Sequence, residues 1–381
     1  MQRTIQIRLD PIDALVDTIE LCSEIYDCIV EVGLEHQTYN KMKLHRLTYD
    51  KLREEFPEVP SALLQTVRDV ASETLKATKL EKAIGSKRYR SLRLDRRNLR
   101  VDMAKFSISI SSTSGRKKID FRPVKPNKML ERYTDWIPVA GTLSYRRERL
   151  TLNLVVERET PTPVSDGELL GIDRGINNIV VCSNNQFVNS KHLRAVKGKY
   201  QYLRSTLQGV GTRSAKRKLK KVSGRERRFV RSVNHELSKS LASSDYSFFA
   251  LEDLAGIRKG SKRKGRRFNK KLGGWSFYQL ETFLTYKAEA MCKVVVKIDP
   301  KNTSRRCSEC GHVEKSNRKG KNFKCRRCGK QLDADLNASR NIASLGSASL
   351  GRLPVNQPIV APKASSEAED SYKPTNSLVG S

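Results

Sequence analysis

Two acids stand where apolar runs stop: Asp173 closes Leu169-Leu-Gly-Ile-Asp173, and Glu252 follows Tyr246-Ser-Phe-Phe-Ala-Leu251. If these runs are neighbouring strands, the two carboxylates lie side by side. Asp335, at the expected start of the last helix, can then close a triangle. Three crowded carboxylates repel one another unless cations occupy the site. Mg2+ (or Mn2+) suits such oxygen ligands, and two ions can activate a water and stabilise the leaving oxygen in phosphodiester hydrolysis. Taken singly, each acid reads as an ordinary solvated cap; their joint placement points to catalysis. Asp333 is assigned a solvated or capping position, because helical spacing from Ala338 puts Asp335 on the buried face. Asp253 should point away from Glu252.

Cys307-Ser-Glu-Cys310 and Cys325-Arg-Arg-Cys328 are two Cys-x2-Cys pairs separated by fourteen residues, each followed by glycine. Two such knuckles complete a four-thiolate structural Zn2+ site. His312 is then a surface residue rather than a ligand. Lys315, Arg318, Lys319, Lys321 and Lys324 in the intervening loop could touch phosphates. The other cysteines, Cys22, Cys28, Cys182 and Cys292, are scattered through apolar segments, a reduced cytosolic pattern rather than a disulfide framework.

The 381 residues hold 74 Lys and Arg against 41 Asp and Glu, a formal charge of +33. Such a chain repels itself unless a polyanion neutralises it, and nucleic acid is the natural one. Residues 191–240 contain sixteen Lys or Arg and two Glu. Lys216, Arg217, Lys218, Lys220, Lys221, Arg227 and Arg228 are the candidate nucleic-acid contacts. Val230, Val233, Leu237 and Leu241 give the later part of this stretch a face for the core. A second basic run, Arg258 to Lys271, reads as a loop beside the acids. No apolar stretch approaches the ~20 residues that span a bilayer, and the N-terminus lacks a signal peptide. A soluble protein of the cytoplasm or nucleoid is expected, with no membrane partner.

The elements that must position these residues follow from hydrophobic period. Residues 2–9 alternate as a strand; Leu15, Ile19 and Cys22 have helical spacing, as do Leu63, Val67, Val70 and Leu75 after Pro60. Residues 98–160 are β-rich, and the N-terminal strand can join them, which makes the helical segment an insertion into a β domain. After a linker at 161–167 come three short strands (169–173, 178–182, 186–188). A long helical stretch, a strand at 246–251, a helix over 275–290, a strand at 294–298 and a final helix complete this part. Three antiparallel strands followed by alternating helices and strands is the order of an RNase H-like fold. From Gly346 on, the composition predicts a disordered tail.

The motifs Gly171-Ile-Asp-Arg-Gly-Ile176, Ala250-Leu-Glu-Asp-Leu254, Asp299-Pro-Lys-Asn-Thr-Ser304, the four-cysteine ribbon and Asp333-Ala-Asp-Leu-Asn-Ala338 with Asn341-Ile342 together resemble the TnpB proteins of insertion sequences. Those proteins are RNA-guided nucleases related to compact type V CRISPR effectors. The resemblance covers residues 166–346 in detail. It implies an α+β multidomain chain: a RuvC nuclease core, RNase H-like, with an inserted zinc ribbon, preceded by a β-barrel wedge domain interrupted by a helical recognition domain. The expected division is 1–10 and 91–165 for the wedge, 11–90 for the recognition domain, 166–300 and 331–346 for the nuclease, 301–330 for the ribbon and 347–381 for the tail.

The resemblance also implies a guide RNA, a target DNA selected by base pairing, and a short duplex motif beside the target. It carries over Asp173, Glu252 and Asp335 as catalytic metal ligands and the four cysteines as zinc ligands. Three rival readings remain: a catalytically silent RNA-guided DNA-binding repressor, an RNase H-fold transposase performing strand transfer, and a zinc-ribbon RNA-binding factor without catalysis.

Overall fold

The structure, a computed structural model, describes residues 1–81, 85–121, 128–255 and 277–351. The basic run 258–271 lies outside the described residues, as does the start of the helix expected over 275–290. The chain forms two compact units, Met1–Thr160 and Pro161–Ser381.

In the first unit, β1 (Gln2–Leu9) leads into three helices, α1 (Asp13–Glu35), α2 (Lys41–Glu55) and α3 (Ser61–Thr78). The strands β2 (Leu92–Leu94), β3 (Leu99–Asp102), β4 (Ser107–Ser112) and β5 (Gly115–Asp120) follow, then a short α4 (Lys128–Glu131), β6 (Ile137–Arg146) and β7 (Arg149–Glu157). The N-terminal strand does join the later ones: β1 pairs antiparallel with β7 along its whole length, from Gln2↔Glu157 to Leu9↔Leu150. The sequence gives no comparable signal for α2, whose start is fixed by Asn40 accepting from the Met42 and Lys43 amides.

The expected β-barrel is not closed among the described residues. Among the described residues the strands form two open sheets, β1-β7-β6-β2 and β3-β4-β5. Helix α1 packs against both β4 and β6. Its Leu15 and Ile19 belong to the same buried cluster as Ile7, Ile110 and Leu152. A helix rather than strand closure therefore covers these apolar faces.

The second unit is built on a five-stranded sheet of order β10-β9-β8-β11-β12. Its strands are β8 (Leu169–Asp173), β9 (Asn178–Cys182), β10 (Phe187–Asn189), β11 (Phe248–Glu252) and β12 (Val294–Ile298). The first three run antiparallel, while β11 lies parallel to both β8 and β12. Helices α5 (Lys191–Val210), α6 (Arg213–Val222) and α7 (Arg225–Ala242) connect β10 to β11, and α8 (Phe277–Glu289) precedes β12. After β12, β13 (Arg318–Lys319), β14 (Asn322–Lys324) and β15 (Gln331–Asp333) make a separate small sheet, and α9 (Ala334–Leu350) ends the described chain.

Two boundaries move. Residues 331–333 pair with β14 and so belong to the ribbon sheet rather than to the nuclease segment. Residues 347–350 are helical rather than tail. Small residues permit this extension: a Cβ on Gly346 would stand 2.5 Å from Ala250 Cβ, so glycine lets α9 continue against β11.

Alternation sorts the strands. Leu170, Ile172, Phe249 and Leu251 bury one face against α7 and α8 residues such as Leu241 and Leu284. Phe248, Ala250, Val294 and Val296 line the other with Ile342 of α9. At Gly171 on that second face a Cβ would meet Ser339 O at 2.1 Å and Ala343 N at 2.5 Å. Only glycine allows α9 to lie this close to β8.

Candidate active site and zinc cluster

Asp173 and Glu252 are the last residues of β8 and β11. The parallel register pairs Ile172 with Leu251, so the next residues, the two acids, stand level on adjacent strands. Both belong to the face that α9 covers. Asp335 occupies the first turn of α9, whose close seat on Gly171 brings that turn toward the strand ends. Burial, then the neighbouring charges of Glu252 and Asp335, push Asp173 up to about 8. Glu252 is also raised, by burial, against the lowering effect of the Thr303 hydroxyl and of Arg174 and Arg318. The three predicted acids are thus brought together.

Their oxygens are nevertheless not packed as tightly as the thiols. Among the described residues, only the four cysteines place three or more candidate ligand atoms within 4.8 Å of one another. Two of the acids have partners of their own. Asp335 Oδ1 takes a hydrogen bond from Arg318 Nη2 at 3.0 Å, and its Oδ2 accepts from Asn178 Nδ2 at 3.3 Å. Glu252 Oε1 accepts from the hydroxyl of Thr303, a residue only 2% exposed. A half-buried acid with a raised pKa among two more carboxylates is an all-oxygen donor set that fits a hard divalent cation.

Asp333 is the N-cap of α9: its Oδ1 accepts from the amides of Asp335 and Leu336. Asp253 is exposed, and its carboxylate accepts from the Ala255 amide.

The Sγ atoms of Cys307, Cys310, Cys325 and Cys328 all lie within 4.8 Å of one another. Cys307 to Cys328 is 3.7 Å and Cys310 to Cys325 is 3.6 Å. A zinc tetrahedron with bonds of about 2.3 Å has edges of roughly 3.8 Å, so the cluster fits the ion. The Arg327 and Cys328 amides point at Cys325 Sγ, both at 3.4 Å, which favours thiolate there. His312 pairs with Glu314 instead of joining the cluster.

Several residues take parts in the site that the sequence did not assign them. Arg318, read there as a phosphate contact, turns inward to Asp335. Asn337 and Asn341, almost fully buried, donate to Arg306 O at 2.7 and 2.6 Å, and Asn341 also donates to Thr303 O. The Ser308 amide donates back to Asn337 Oδ1. These asparagines bind the first cysteine knuckle and the Thr303 turn to α9. Two polar residues at i, i+4 on an otherwise apolar helix face were the available signal.

Lys216, Arg217, Lys218, Lys220 and Lys221 are exposed on α6, and Arg227 and Arg228 are exposed on α7. The α6 segment buries only Ala215 and Val222. Val230 and Leu241 turn into the core as the spacing predicts. No helix among the described residues is long and apolar enough to cross a membrane.

Comparison with known proteins agrees with the motifs. The OrfB_IS605 family, described as a probable transposase, matches residues 153–255, and the Cas12f1-like TNB domain matches residues 277–342. A CRISPR-associated endodeoxyribonuclease Cas12f1 of Sulfoacidibacillus thermotolerans is 49% identical over 94 residues, 24% of this chain and 21% of its own. A TnpB-like protein of Methanocaldococcus jannaschii is 33% identical over 127 residues, 32% of this chain and 45% of its own. A putative RNA-guided DNA endonuclease, InsQ, of Escherichia coli K12 is 26% identical over 256 residues, 56% of this chain and 62% of its own. Each match therefore spans less than two thirds of the relative's length. A solved Cas12f1-sgRNA-target DNA complex shares the fold, with TM-score 0.56 and 15% identity over 86% of this chain and 82% of that one. An OrfB-type segment is thus followed by a Cas12f1-like TNB domain, and over these segments the chain is similar to TnpB and Cas12f1 proteins.

Proposed function

We propose that the protein is an RNA-guided DNA endonuclease of a transposon, with a RuvC site formed by Asp173, Glu252 and Asp335. The observation that carries this is the level placement of Asp173 and Glu252 on adjacent parallel strands, with the first turn of α9 brought to them. The sheet order and the helix laid across it support an RNase H-like reading of this unit. Named relatives that are RNA-guided or CRISPR-associated nucleases support the substrate class.

Asp173, Glu252 and Asp335 would hold Mg2+ or Mn2+, which when bound supplies an activated water and charge to stabilise the leaving oxygen. Thr303 fixes the Glu252 carboxylate, and Arg318 offsets the charge of Asp335. The cysteines would hold one structural Zn2+. The exposed cations of α6 and α7 would grip phosphates, while the guide RNA reads the target by base pairing. On this reading residues 1–10 and 91–165 form the wedge and 11–90 the recognition domain, and the protein works in the prokaryotic cytosol or nucleoid.

The test is to purify the protein with its bound RNA, sequence that RNA, and supply matched duplex DNA with Mg2+. Cleavage that stops with chelator and with Asp335→Asn is the expected result. Binding without cleavage would favour a repressor, and joined strands a transposase.

A further inference from the structure

Arg174 follows the first acid in sequence but points to the opposite face of the sheet. Its side chain is 1% exposed and that of its partner Glu281, on α8, is 8% exposed. Nη1 donates to Glu281 Oε2 at 2.9 Å and to Phe277 O at 3.1 Å, both on α8. Nη2 donates to the backbone carbonyl of Glu252, and Nε is buried without a partner. Glu281 is shared with Lys297 of β12, whose side chain is 35% exposed. One guanidinium thus ties the ends of β8 and β11 to a helix on the face away from the carboxylates.

Burying such a pair costs several kcal/mol per ion, and apolar residues of similar volume are often as stable or more so. Stability alone therefore does not account for a buried, incompletely satisfied arginine here. Its contacts do. The carbonyl it holds belongs to Glu252 itself, and its own backbone adjoins Asp173.

We propose that Arg174 is a positioning residue: anchored by Glu281, it sets where the Glu252 backbone, and hence its carboxylate, stands relative to Asp173. This rests on the reading of both acids as ligands of a divalent ion. Lysine in place of Arg174 keeps the charge but offers one nitrogen, which cannot serve acceptors on β11 and α8 with the fixed fork of a guanidinium.

The test compares wild type, the pair Arg174→Met/Glu281→Met, and Arg174→Lys, each as the full chain with its bound RNA. Four quantities are measured: thermal midpoint, target-DNA affinity, single-turnover cleavage, and backbone scission by Fe2+ with ascorbate and peroxide, which cuts the chain beside bound iron. The wild type should be cut near residues 173, 252 and 335. The paired variant should keep its thermal midpoint and bind target within about twofold. It should cleave DNA about 10²-fold more slowly, as a misplaced catalytic group does, with weakened scission near 252. Arg174→Lys should fall between them.

A paired variant with wild-type cleavage and scission would overturn the positioning role alone. If that variant does not fold, Arg174→Lys decides: wild-type rate at wild-type stability would overturn the proposal, and a slowed rate at unchanged stability supports it. Absence of cuts near the three acids in the wild type would sink the metal reading, and this proposal with it.

Discussion

Arg318 of the ribbon strand β13 and Asp335 of α9 form an ion pair, Nη2 to Oδ1 at 3.0 Å, with the pair only partly open to solvent. The ribbon therefore places a cation directly against the third carboxylate. A cation there competes with divalent ions for Asp335, and it can also stabilise negative charge that develops on a reacting phosphate. Arg318→Ala should lower the half-saturating Mg2+ concentration and slow maximal cleavage by about 10²-fold. Titrating Mg2+ in single-turnover assays checks both. An unchanged maximal rate would limit Arg318 to charge balance.

Asp335→Asn should abolish cleavage and leave target binding nearly intact, because it alters a proposed metal ligand without removing any of the exposed cations of α6 and α7. Asp333→Ala is the informative neighbour. It removes the cap that receives the Asp335 and Leu336 amides and should cost about 1 kcal/mol of stability, with most activity kept. Chemical denaturation beside cleavage assays separates the two. A dead Asp333→Ala with a live Asp335→Asn would exchange their roles.

One zinc per chain is expected by metal analysis, and none in Cys325→Ser. That variant should also lose cleavage, because Arg306 and Ser308, which flank Cys307, are the groups that Asn337 and Asn341 hold against α9. Cys22→Ser, in the other unit, should keep its zinc. Full cleavage by zinc-free protein would show that the ribbon and the acids are independent.

The raised Asp173 makes stability depend on pH. Its folded value of about 8 lies above the ordinary value of about 3.9 for an unfolded chain, so between these the folded state binds more protons. In chelator, stability should fall as pH rises from about 4 to 8 and level off above that. Asp173→Asn should remove this slope. Divalent ions, which bind the deprotonated acid, should stabilise the wild type increasingly over the same range. A chelated wild type whose unfolding free energy rises through pH 5–8 in step with that of Asp173→Asn would contradict the burial of this acid.

Replacing Lys216, Arg217 and Lys218 with Gln should weaken nucleic-acid binding alike for all sequences. It should also flatten the salt dependence, the logarithmic slope losing about one unit per phosphate contact. Filter binding across salt concentrations reads this directly. A loss confined to one sequence would argue against backbone contact.

The parts of the site that were legible in the sequence are those with a period or a fixed spacing. Asp173 and Glu252 end apolar runs, the cysteines repeat as pairs, and Asp335 keeps step with Ala338 and Ile342. Arg318 and Thr303 went unread because they act through long-range hydrogen bonds, for which sequence carries no period. Arg318 looks like any other loop cation until β13 turns it toward Asp335, and Thr303 like any turn residue until its hydroxyl meets Glu252. The same holds for the fold. Strand β1 could be assigned by alternation, whereas the open sheets of the first unit depend on how α1 fills the space between them. Helix α9 runs past the expected start of the tail because Gly346 lets it continue against Ala250 of β11, a close approach that composition alone does not reveal.

Helix α9 has a consequence for synthesis on the ribosome. It is the last described element, and it covers the sheet face formed by Phe248, Ala250, Val294 and Val296. Until residue 350 has left the exit tunnel, that face has no cover and Asp335 has no seat beside Asp173. A nascent chain is therefore sticky, and a copy whose translation stops before residue 335 lacks the third acid of the proposed site. Under the proposed function, order of emergence leaves such an unfinished chain without a complete carboxylate site.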